Sequence, residues 1–143
     1  MALSDIITQL QSTDADFNDV ADGFSLFGAA TSWTPTFSGS GSMTFTSVTS
    51  TTKYWLFDKL FIAYVFMIGT TGGTASNELR MTLPITCSNT NFRGGAAVSD
   101  AAFLPGTWYT NSTTEISFRK FDGSNFALAA SKSAGTILIL EVA

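Results

Sequence analysis

The sequence predicts an all-β protein: an antiparallel β-sandwich or jelly roll of about eight to ten strands over residues 32–143, preceded by a short helical arm over residues 1–31. Composition is the first sign. Thirteen Phe, abundant Thr and Ser, and a charged content of only 13% supply the branched and aromatic side chains that suit a pleated, half-buried surface. The second is rhythm, because clusters of Gly, Ser, Pro and Asn recur roughly every ten residues from Trp33 onward. The third is a change of character near residue 31, before which the periodicity is helical and the charge purely acidic. At 143 residues the chain has the length of one domain with a real core.

In the arm, Leu3, Ile6, Ile7 and Leu10 recur at i, i+3, i+4 and i+7, and Phe17, Val20, Ala21 and Phe24 repeat that spacing. Both stretches read as short amphipathic helical turns. Thr13 or Asp14 can cap the second, the Asp residues complement the positive end of its dipole, and Gly23 can close it. The stripe of Leu3, Ile6, Ile7, Leu10, Phe17 and Phe24 then serves for attachment or packing, either on its own domain or on a neighbouring chain. Asp5, Asp14, Asp16, Asp19 and Asp22 fall in this arm, whereas the first basic residue is Lys53. Acidity therefore belongs to the arm and not to the body.

The body divides into candidate strands at Trp33–Phe37, Ser42–Thr49, Thr52–Phe57, Leu60–Ile68, Asn77–Leu83, Phe92–Ser99, Thr107–Thr110, Glu115–Phe121, Phe126–Ala129 and Thr136–Val142. Asp58-Lys59 and Asp122-Gly123-Ser124-Asn125 carry turn chemistry for hairpins, and Gly72-Gly73 reads as the start of a mobile loop. Leu79, Met81 and Leu83 alternate with Glu78, Arg80 and Thr82, as a sheet with one wet face requires. Leu60–Ile68 and Thr136–Val142 are instead apolar on both faces. Two-sided strands in so small a domain suggest cover from neighbouring subunits, with Phe61, Val65, Met67, Ile137 and Ile139 as interface candidates.

Several chemistries lack their residues. There is no His, which removes the commonest general base and transition-metal ligand. Cys87 is the single thiol, so no internal disulfide or Cys-x-x-Cys motif exists, and it reads as a small buried residue. Asp14-x-Asp16-x-Asn18 opens like a calcium loop but has Asp19 where Gly is needed and Ser25 where the bidentate Glu belongs. Asn111-Ser112-Thr113 fits a glycosylation sequon but reads as a turn, as do Gly94-Gly95 and Gly39-Ser40-Gly41, which lack the Lys of a phosphate loop. Pairs among Glu78, Asp100, Glu115, Asp122 and Glu141 point to no cleft. No catalytic residue, metal ligand or cofactor is expected. Trp55, Trp108 and Tyr109 could stack on sugar rings if exposed, and are core residues if not.

Partners are bounded in the same way. A sequence pI near 4.4 without a basic stripe gives nucleic-acid binding no electrostatic support. The longest apolar run, Leu60–Ile68, falls far short of the ~20 residues of a membrane span, so no membrane insertion is expected. Met1–Leu10 contains Asp5 and no basic n-region, which suggests folding in the cytoplasm where the chain is made.

One resemblance goes further than these readings. Trp33-Thr34-Pro35-Thr36-Phe37, Gly39-Ser40-Gly41-Ser42-Met43-Thr44, Lys53-Tyr54 and Gly72-Gly73 are followed by Glu78-Leu79-Arg80-Met81-Thr82-Leu83-Pro84, Gly94-Gly95-Ala96-Ala97 and Phe121-Asp122-Gly123-Ser124-Asn125-Phe126. In order and spacing this resembles a β-sandwich module of tailed-bacteriophage virion proteins, found at the end of tail fibres, head fibres and related appendages. It covers roughly three-quarters of the chain. The resemblance implies a non-enzymatic, homotrimeric, jelly-roll-like domain that decorates a capsid or binds a receptor. An arm without sustained heptads builds no shaft, so the expectation is a short virion knob held by its arm to the major capsid or another virion protein. The alternative is a receptor-binding tail-fibre tip that recognises host surface glycan.

Overall fold

Polar and apolar side chains alternate along most of the body, and the backbone follows with strands in which alternate residues point inward. The computed structural model describes residues 29–100, 102–129 and 131–143, of which Thr31–Ala143 form one unit. The expected helical turns, with Leu3, Ile6, Ile7, Leu10, Phe17 and Phe24, and the Asp14-x-Asp16 segment lie outside the described residues.

Nine strands follow one another: β1 (Thr31–Ser32), β2 (Phe37–Gly39), β3 (Met43–Phe57), β4 (Leu60–Gly73), β5 (Leu79–Thr82), β6 (Arg93–Ser99), β7 (Phe103–Ser112), β8 (Glu115–Lys120) and β9 (Lys132–Glu141). They form one antiparallel, curled sheet in the order β1-β3-β4-β9-β6-β7-β8-β5-β2. The described residues contain no helix. One segment ties the two ends of the sheet together. Thr31 and Ser32 pair with Tyr54 and Lys53 of β3, whereas Phe37–Gly39 pair with Leu79–Met81 of β5. Between them, Trp33 accepts a hydrogen bond from Thr52 Oγ1 at 2.6 Å, and its indole Nε1 donates to the Thr82 carbonyl at 3.3 Å. Thr36 closes the link by accepting the Thr82 N–H at 3.0 Å.

The core fills the inside of the curl. Phe61, Val65 and Met67 of β4, Leu79 and Met81 of β5, Ile116 and Phe118 of β8, and Leu138 and Leu140 of β9 are fully buried there. Each contributes about 1.5–3 kcal/mol relative to exposure. Tyr54 stacks on Phe61 at 5.3 Å between centroids, while Trp33 meets Tyr54 and Phe37 meets Phe45 edge to face. Cys87 is buried, and desolvation raises its thiol pKa.

Several sequence expectations need revision. The two strands expected at 42–49 and 52–57 are one, β3, because a bulge absorbs the irregular stretch: Ser47 and Val48 face only Gly69, and Ser47 has φ of 52°. Gly72 and Gly73 are no loop but continue the ladder opposite Thr44 and Met43. Gly73 ends it at φ of 73°, and a Cβ there would stand 2.2 Å from the Ser42 carbonyl oxygen. Gly94 and Gly95 lie inside β6 and form no turn. Phe126–Ala129 is not a strand; its loop instead drops Phe126 into the core. The Asp58-Lys59 hairpin is present, joining Phe57 to its partner Leu60. Asp122 does make a turn, accepting Ser124 N–H and Oγ–H, but the chain leaves it as a loop.

Candidate functional site

The register between β4 and β9 sorts their apolar residues into two layers. Phe61 faces Leu140 and Ala63 faces Leu138 on the inner side, while Ile62 faces Ile139 and Tyr64 faces Ile137 on the outer side. The outer layer is open: Ile137 is 64% exposed, Ile139 59% and Tyr64 45%, with Leu60, Phe66 and Ile68 exposed beside them. Lys53, opposite Tyr64, and Glu141, opposite Leu60, place charges at its border. A contiguous apolar surface edged by charge is the usual mark of a contact site. Of the five interface candidates, Ile137 and Ile139 lie on this face. Phe61, Val65 and Met67 do not, because they are enclosed in the core. A strand apolar on both faces leaves its inner side undetermined until its partners are known; here the partners of Ile137 and Ile139 are Tyr64 and Ile62.

The three aromatics proposed for sugar stacking do not converge. Trp108 and Tyr109 are neighbours on β7 and therefore point to opposite sides. Trp108 turns inward, is 4% exposed and lies across Gly94, where a Cβ would come within 2.5 Å of its Nε1. Tyr109 turns outward beneath two guanidinium groups, Arg93 at 5.9 Å and Arg119 at 5.5 Å from its ring centroid. Trp55 stands half-buried on the outer side of β3, opposite Ile62.

Two ionic clusters escaped the sequence reading. On the outer side of β5, β7 and β8, the buried Glu78 carboxylate receives Arg80 and Arg119, each at 2.6 Å, and the Tyr109 hydroxyl. Burial alone would raise the Glu78 pKa, but the bonds from Tyr109, Arg80 and Arg119 outweigh it and lower it. The same surroundings push the Tyr109 phenol up, first through burial and then through its bond to Glu78. Arg80 also approaches Glu115 at 3.8 Å. Below the sheet, Asp100 takes Lys120 at 2.8 Å and Lys132 at 2.7 Å, with all three side chains less than a tenth exposed. It accepts the Ala127 N–H as well, and Lys120 donates to the Asn125 carbonyl. Burial would raise the Asp100 pKa, yet the two lysines and the backbone donor hold it at about 2. These carboxylates are fixed as anions, which disqualifies them as proton donors near neutrality. Apart from Glu78 and Arg80, two residues apart on one face, their members come from distant segments, so no spacing in the sequence announces the clusters.

Among the described residues no three His, Cys, Asp or Glu are grouped to hold a metal ion, and no helix is long and apolar enough to cross a membrane. No protein-family model, curated protein or solved structure matches this chain.

Proposed function

We propose that this chain is a non-enzymatic bacteriophage virion structural protein, a trimeric capsid decoration or head-fibre knob anchored by its N-terminal arm. In this reading the curled sheet works as a sandwich, with β1-β3-β4-β9 as one layer and the remaining strands as the other. The observation that carries it is the open apolar face of β4 and β9, since exposed Ile137, Ile139 and Tyr64 call for cover by further copies. The number three and the virion setting come from the resemblance described above. Light scattering on the full chain is the direct test. A mass of about three times 15.2 kDa at micromolar concentration is expected, and a mass at the monomer value overturns the trimer. Immunogold labelling of intact particles tests location: label spread over the shell is expected for decoration, and removal of residues 1–30 should abolish capsid binding.

A second reading, a receptor-binding tip recognising host surface glycan, is favoured by one observation. A groove of about 300 Å³ opens at β6 and β7, lined by Arg93, Gly94, Thr107, Trp108 and Tyr109. Label confined to the tail end would replace the first reading by this one.

A further inference from the structure

A closed ring of three copies is not built from one self-complementary surface. Its contacts run head to tail, so each copy must offer the open face of β4 and β9 to one neighbour and a different, matching surface to the other. Among the described residues, the exposed large apolar side chains outside that face are Leu56, Phe103, Leu104, Phe121 and Leu128, and Phe103 and Phe121, at 80% and 77%, are the most exposed of all. The backbone brings these two together. Phe103 and Pro105 share one side of β7, and Phe121, one residue beyond β8, donates its N–H to the Pro105 carbonyl at 3.1 Å. A cleft of about 150 Å³ lies beside them, lined by Leu104, Pro105, Lys120, Phe121 and Asp122. The Lys120 ammonium is engaged by Asp100, so the charge left facing solvent beside Phe121 is the exposed Asp122 carboxylate.

The open face carries a matching receptacle. At its Leu60 end a groove of about 300 Å³ is lined by Lys59, Leu60, Phe92, Ile139, Leu140 and Glu141. That volume takes a phenyl ring, and Leu60, Phe92 and Ile139 give it apolar walls. An aromatic anchor seated in such a pocket is the usual centre of a subunit contact. The two charges of the groove are not equivalent. Lys59 has no carboxylate within ion-pair reach among the described residues, whereas Glu141 accepts the Ser88 hydroxyl at 3.2 Å. A neighbour that brings Phe121 into the groove brings Asp122 with it, and Lys59 is the cation available to that carboxylate. Shape and charge on the two surfaces therefore correspond, which makes a second copy of this chain the occupant.

We infer that Phe121 of one copy seats in the groove between Leu60, Phe92 and Ile139 of the next, with Asp122 pairing Lys59, and that this head-to-tail contact closes the ring. The inference rests on the trimer reading above. Complementation between two variants of the full chain, followed by light scattering at micromolar concentration, tests it. F121D and I139D should each be monomeric with the wild-type far-ultraviolet spectrum, because both side chains project from the fold. Mixed in equal amounts they should give a heterodimer of about twice 15.2 kDa, since F121D keeps an intact groove and I139D keeps its Phe121. K59E and D122K should each raise the concentration needed for assembly about tenfold, and the two changes in one chain should restore it. F121D that assembles as the wild type does, a mixture that stays monomeric, or a double charge reversal without recovery overturns this contact, and a trimeric wild type then keeps the trimer reading. A monomeric wild type overturns the trimer reading itself and this contact with it.

Discussion

Asp100 stands between two buried lysines, so the cluster keeps a net positive charge away from water and depends on a single carboxylate. Removing it leaves Lys120 and Lys132 without their anion. Asp100→Ala should therefore destabilise the fold by about 3–5 kcal/mol, measured by urea denaturation. The same residue sets a pH dependence. Its folded-state pKa of about 2 lies below the ordinary 3.8, so its contribution is fully present above pH ~4 and is lost as pH falls toward 2. The shift corresponds to about 2 kcal/mol, and acid titration of stability should show that step in the wild type and lack it in Asp100→Asn. Little of this was legible in the sequence, where Asp100 was one carboxylate among five and neither lysine drew notice. A buried ion cluster assembled from β8, β9 and the β6–β7 turn has no one-dimensional signature.

Strand β4 shows how far a periodic pattern can be read. For β5, polar Arg80 and Thr82 alternating with Leu79 and Met81 identified the inner face from sequence alone, and all of these lie as expected. For β4 the sequence reading placed Phe61 among the interface candidates; the pairing with β9 turns Phe61 into the core and Phe66 outward. Their truncations should diverge. Phe61→Ala should cost about 3–5 kcal/mol in the protomer, whereas Phe66→Ala, at a side chain 37% exposed, should cost clearly less at concentrations that keep the protomer apart. A larger loss for Phe66→Ala than for Phe61→Ala would mean that the strand is inverted. The bulge at Ser47-Val48 and the core position of Phe126 were likewise hidden, since both depend on distant partners: Gly69 in the first case and the inner sheet face in the second. Gly73→Ala gives a local check on the end of β4. With positive φ and the Ser42 carbonyl in its way, the substitution should lower stability by more than about 1 kcal/mol.

The Thr31–Ala143 unit has a single core inside the curl and an apolar layer outside it on β4 and β9. Ile137→Asp combined with Ile139→Asp should abolish self-association in light scattering while leaving the far-ultraviolet spectrum unchanged, because both side chains already project from the fold. If the proposed oligomer forms and persists in that variant, the contact lies elsewhere. The all-β class and antiparallel pairing were legible from composition and turn spacing, which are averages over many residues. The location of an outer face was not, because it is a property of the order in which strands sit side by side.

That order has a consequence for how the chain is made. Among the strands of the described residues β9 is synthesised after the others, yet it lies between β4 and β6. Until it arrives, the sheet exists as two pieces joined only through the Thr31–Gly39 segment, and their facing edges offer unpaired peptide groups to any passing chain. Folding of the nascent protein is thus finished from the middle outward, by a strand that joins residues separated by much of the sequence. A chain ending before Lys132 therefore leaves the facing edges of β4 and β6 without their shared neighbour, the arrangement most open to edge-to-edge aggregation.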